Sequence, residues 1–142
     1  MPDSAFQHEG WGIAWRRSSI GANGFYRHHV AEDHFATSMS TDTGVVHALA
    51  EVIRHRYARH RGEDFHVVEV GCGSGQVLRS FANVLPEQIS LVGIDVRERP
   101  DSLPKRVTWI QSSLTAHEGP MPMHGHGVIV AHEFLDRKST RL

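Results

Sequence analysis

Residues Val67 to Gln76 read V-V-E-V-G-C-G-S-G-Q, an apolar, β-branched run that meets an acid and then glycines at alternate positions. The short apolar run from Phe65 to Val70, bounded by turn residues, predicts a buried strand. Glycines at its end let the chain turn sharply and bring its backbone close to a ligand. Downstream, Val77, Leu78, Phe81 and Leu85 repeat like the buried face of a helix, which Pro86 stops. A second apolar run, Leu91 to Asp95, follows. Strand, helix and strand within about 30 residues predict a βαβ unit, and the continuous apolar runs suit a parallel sheet covered on both faces.

Two further β-like runs, Arg106 to Ile110 and Gly127 to Ala131, extend this pattern. Upstream, Val45, Val46, Leu49, Val52, Ile53 and Tyr57 recur at helical spacing, with Thr41 or Asp42 placed to cap the start and Gly62 to end the helix. Residues 1–42 show no sustained period and scatter Trp11, Trp15, Phe25, Tyr26 and Phe35. They are expected to form an N-terminal extension with short helical pieces folded against something larger. The expected fold class is α/β, with about four parallel strands and flanking helices, in a domain spanning 43–135.

Three ligand types compete for the glycine turn. A phosphate-cradling P-loop requires G-x-x-x-x-G-K-[ST], and Gly71 to Gln76 has neither that spacing nor the lysine. A dinucleotide fingerprint requires G-x-G-x-x-G, but its third glycine position falls on Gln76. What remains is E-x-G-x-G-x-G at Glu69, Gly71, Gly73 and Gly75, with Asp95 at the end of the second expected strand. A carboxylate such as Asp95 only accepts hydrogen bonds and can take two hydroxyl donors. The competing structural reading is a glycine turn that merely saves space. Cys72 within it reads as a small buried filler, since no base close in sequence would lower its pKa.

Composition narrows the partners. A formal net charge of -1 over 142 residues provides no basic field for nucleic acid or anionic lipid, so neither is expected as a partner. The basic run of Arg54, His55, Arg56, Arg59, His60 and Arg61 reads as the solvated face and end of a helix. A single cysteine excludes an internal disulfide. No stretch approaches the roughly 18 consecutive apolar residues of a membrane span, and a cytoplasmic location is expected. The 12 histidines, including His28-His29 and His124 to His126, sit in loop-like stretches without the i, i+4 pairing of H-E-x-x-H. No metal site is expected from them.

Glu69 to Gly75, taken with Asp95, resembles the first two motifs of class I S-adenosylmethionine-dependent methyltransferases. The resemblance implies a Rossmann-like sheet in which Gly71, Gly73 and Gly75 pass along the methionine part of the cofactor. It implies that Glu69 orients the loop and the cofactor amine, and that Asp95 accepts hydrogen bonds from both ribose hydroxyls. It also implies Gln111, after the third expected strand, against the adenine amine.

Beyond the fourth run, V-I-V-A-H-E-F-L-D looks like the "NEFFD" or "NEWLD" segment of the methyltransferase family that includes the mitochondrial complex I assembly arginine methyltransferase and its bacterial relatives. G-F-Y at Gly24 to Tyr26 and D-H-F-A-T-S at Asp33 to Ser38 resemble that family's "GYY" and "DFxTSPE" segments. His132 stands where the family has asparagine, and Met39-Ser40 where it has Pro-Glu. The resemblance implies methyl transfer to a protein arginine. Glu133 would fork to the guanidinium, and His132 would assist proton removal.

Sheets of that class carry further strands beyond the fourth. The resemblance therefore implies the N-terminal half only, with an unpaired edge and an exposed apolar face. Residues 136–142, D-R-K-S-T-R-L, can be encoded by GAT CGG AAG AGC ACA CGT CTG, a common sequencing-adapter segment, and a non-native tail is expected there. Two other readings stay open: a fragment of an NAD-binding Rossmann oxidoreductase, and a noncatalytic assembly scaffold.

Overall fold

The computed structural model describes residues 10–29, 43–112 and 124–132. Its elements run α1 (Trp11–Ile20), α2 (Phe25–His28), α3 (Thr43–Ala58), β1 (Phe65–Val70), α4 (Gln76–Val84), β2 (Ser90–Asp95), β3 (Val107–Gln111) and β4 (His126–Val130). The strands form one all-parallel sheet in the order β3-β2-β1-β4. Chain order reverses at β1, between β2 and β4, and open parallel sheets bind ligands at the carboxyl ends of strands beside such a switch. The glycine turn leaves β1 at that end.

Register decides which side chains share a face. Glu69 pairs with Gly93 of β2 and Val130 of β4, while Asp95 pairs with Gln111 of β3. One face carries Phe65, Val67, Leu91, Val107 and Val130, which bury with Val46, Ala50 and Ile53 of α3 and with Val77, Leu78 and Phe81 of α4. This is the main core, and it explains the helical periodicity of both segments. The other face holds Val68, Val70, Val92 and Ile94, with Ile110 packed against them. The sequence leads one to expect this face exposed, but these four residues are buried. Exposure is concentrated instead at the edge strand β4, where Ile129, paired with Val68, is 72% exposed.

Two arginines join elements distant in sequence. Arg106, just before β3, donates to the carbonyls of Ala82, Leu85, Pro86 and Ile89 at 2.8–3.3 Å. It thereby satisfies carbonyls at the end of α4 and places a cation at the negative pole of that helix. Arg97, just beyond β2, donates through Nε to the carbonyl of Tyr26 in α2. Arg27 returns a contact to Val96 O at 3.4 Å. The N-terminal helices are thus tied to the carboxyl end of β2. The Thr41 or Asp42 cap and the segment from Asp33 to Ser40 lie outside the described residues.

Candidate functional site

Gly71, Gly73 and Gly75 have φ of 68°, 56° and 73°, in the left-handed region that side chains rarely adopt. The Gly71 N–H donates to Ile94 O at 2.8 Å, carrying the β1–β2 ladder one step further, and the Gly75 N–H closes the turn on Cys72 O at 2.8 Å. The last two glycines serve different ends. A Cβ on Gly75 would stand 2.7 Å from Leu103 Cδ1, so this glycine permits packing. A Cβ on Gly73 would meet nothing within 4 Å, so this glycine borders open space.

Two carboxyl groups lie behind the turn. Glu69, only 3% exposed, accepts a hydrogen bond from the backbone of Leu78 in the first turn of α4, and its Oε2 has no partner among the described residues. Burial above all, and then the nearby Asp95, push its pKa from the ordinary 4.5 up to about 8, while the Leu78 hydrogen bond opposes them. The carboxyl therefore holds its proton at neutral pH.

Asp95 Oδ2 accepts the Gly73 N–H at 2.8 Å, and Oδ1 accepts the Arg97 N–H at 3.0 Å. Each oxygen has a second lone pair with which to take a hydroxyl. Gln111 lies beside Asp95 in register and donates its amide to Val96 O at 3.2 Å. Trp109 donates its indole N–H to Arg97 O at 3.0 Å, so both side chains fasten the segment after β2. Arg79 of α4 donates through Nη2 to Ser74 O at 3.2 Å and Ser102 Oγ at 3.3 Å, joining the glycine turn to the same segment. Cys72 is buried, and burial followed by the charges of Glu69 and Asp95 pushes its thiol far up. A buried thiol of that kind is a filler, not a nucleophile.

Glu69, the three glycines, Asp95 and Gln111 thus gather at the carboxyl ends of β1, β2 and β3. His132 follows β4 at the same end of the sheet. Glu133 lies outside the described residues. Sequence reasoning missed Gly93, where a Cβ would crowd Leu78 Cδ1 at 2.7 Å, Trp109 Cε3 at 2.9 Å and Cys72 Sγ at 3.0 Å. A glycine inside an apolar run signals such close approach. It also missed a grouping of His60, Glu63 and His126 at the opposite end of the sheet. The H-x-x-E spacing of His60 and Glu63 was a legible trace of it.

Compared with known proteins, the chain matches no protein family, no curated protein and no solved structure.

Proposed function

We propose that the chain binds S-adenosylmethionine and belongs to the methyl-transferring enzymes. The observation that carries this reading is the unpartnered, buried Oε2 of Glu69 behind the glycine turn. Dinucleotide-binding folds keep a helix N-terminus free for an anionic pyrophosphate. Here a carboxyl side chain already takes the Leu78 backbone donor at that terminus, and Asp95 takes the Gly73 N–H. The carboxylate of Asp95, and that of Glu69 once a bound cation displaces its proton, disfavour a phosphate and favour a ligand with a cationic end. The spare lone pairs of Asp95 suit a ribose diol, and the open space at Gly73 suits close passage of the ligand.

When bound, S-adenosylmethionine supplies an electrophilic methyl group on a sulfonium. Glu69 would release its proton as the ligand's ammonium approaches and accept a hydrogen bond from it through Oε2, and Asp95 would hold the ribose. The resemblance of the segment beginning at His132 to that of the arginine-methylating family supports a protein guanidinium as the acceptor. Glu133 would orient it, with His132 beside it to take the proton.

Calorimetry with S-adenosylmethionine, its demethylated product and NAD tests the reading. Binding of the first two and not of NAD is expected. Asp95→Ala removes charge-assisted hydrogen bonds worth about 1.5–3 kcal/mol, which corresponds to a loss of affinity on the order of 10- to 100-fold. Heat from NAD alone would overturn the proposal, and unchanged affinity in Asp95→Ala would remove the ribose role.

A further inference from the structure

At the end of the sheet opposite the glycine turn, three side chains with metal-ligand chemistry converge. His60 and Glu63 lie between α3 and β1, in a turn closed by the Glu63 N–H donating to His60 O at 3.1 Å. His126 is the first residue of β4, and its N–H donates to Asp64 O at 2.9 Å. Gly125 makes this approach with φ of 111°, where a Cβ would stand 2.5 Å from Asp64 O. Backbone hydrogen bonds, not long flexible side chains, bring the three residues together.

We propose that His60, Glu63 and His126 form a binding site for a divalent transition-metal ion of the zinc class. One ligand atom from each, two imidazole nitrogens and a carboxylate oxygen, all lie within 4.8 Å of one another. His126 Nε2 is 2.5 Å and His60 Nδ1 3.7 Å from Glu63 Oε2. Zinc bonds of about 2.0–2.2 Å in tetrahedral geometry set donor atoms about 3.3–3.6 Å apart. The two separations bracket that spacing. Imidazole and carboxylate donors suit zinc, nickel and copper, and three protein ligands leave one position for water.

The imidazoles of His60 and His126 stack with centroids 3.9 Å apart and planes 20° from parallel. In-plane lone pairs of stacked rings do not meet at one point, so metal entry turns one ring. The side chains are 30% and 47% exposed and have room to turn. The bound ion would staple the start of the edge strand β4 to the loop that leads into β1. This site shares no residue with the proposed cofactor site, so either can fail alone.

Because the chain has 12 histidines, the test must be specific to position. Calorimetric titration of zinc chloride into the full chain is run on the unaltered protein and on His126→Asn, His60→Asn and Glu63→Gln. The double variant His28→Asn/His47→Asn serves as a control. One zinc site is expected in the unaltered chain and the control, with affinity at least about tenfold weaker in each site variant. Zinc should also raise Tm in the unaltered chain and the control, but not in His126→Asn. Circular dichroism of the metal-free variants reports folding, and Glu63→Gln, at an exposed position, keeps the side-chain shape. No zinc binding in the unaltered chain, or equal affinity in all folded variants, would overturn the proposal.

Discussion

Among single residues, Glu69 bears most on the proposed chemistry. Its folded pKa of about 8 stands above its ordinary value of 4.5, so the folded chain holds a proton through that interval that the unfolded chain has released. Stability associated with the protonated carboxyl is complete below pH 4.5 and is lost as pH rises through about 8. Thermal unfolding between pH 5 and 8 should show Tm falling with pH, with a flatter slope in Glu69→Gln. Identical slopes would mean that the carboxyl does not titrate this way. The groups acting on it are Asp95, which raises its pKa, and the Leu78 backbone, which lowers it. Glu69 and Asp95 were legible in the sequence as acids at two strand ends. The unpartnered oxygen was not, because which carboxylate oxygen meets a donor depends on where the Leu78 backbone of α4 comes to lie.

At the scale of elements, the glycine turn lets the proposed binding be tested apart from stability. Gly75→Ala meets both a left-handed φ and Leu103 Cδ1 at 2.7 Å, and should destabilise the fold by about 2–5 kcal/mol. Gly73→Ala meets only the backbone penalty, about 1–2 kcal/mol, since its Cβ would enter open space. Its methyl group would instead stand in the path of the proposed ligand. Urea unfolding combined with cofactor calorimetry separates the two effects: Gly75→Ala should lose more stability, and Gly73→Ala should lose affinity while still folded. A reversed order would refute the division of roles. The four strands, α3 and α4 were legible from apolar periodicity and from Pro86, whereas α1 and α2 lie in a stretch without a sustained period and were expected only as short helical pieces. The bounds of β1 stayed at Phe65 and Val70, while the start of β2 and both bounds of β3 and β4 moved by one residue, as hydrogen-bond ladders rather than side-chain type end a strand. The clamp of Arg106 on four carbonyls near the end of α4 had no local signal, since its partners lie 17 to 24 positions away.

Across the whole molecule, Arg97 joins the N-terminal helices to the sheet beside Asp95. Arg97→Ala removes a charge-assisted hydrogen bond of about 1.5 kcal/mol and should speed amide exchange in α1 and α2 roughly tenfold. Exchange in the β1–β2 ladder should stay as it was. Uniform acceleration across both regions would indicate global destabilisation instead of local release. The described helices include none long and apolar enough to cross a membrane.

Local sequence alone determined the parallel βαβ unit, the glycine turn and the acids around it, because periodicity and backbone permissiveness are properties of neighbouring residues. Only the tertiary structure decided the order β3-β2-β1-β4, the burial of Val68, Val70, Val92 and Ile94, and the meeting of His60 and Glu63 with His126. Strand order sets which distant residues become neighbours. His126 reaches Glu63 only because β4 pairs with β1 from its first residue, a register chosen by burial of Val128 and Val130 against the main core.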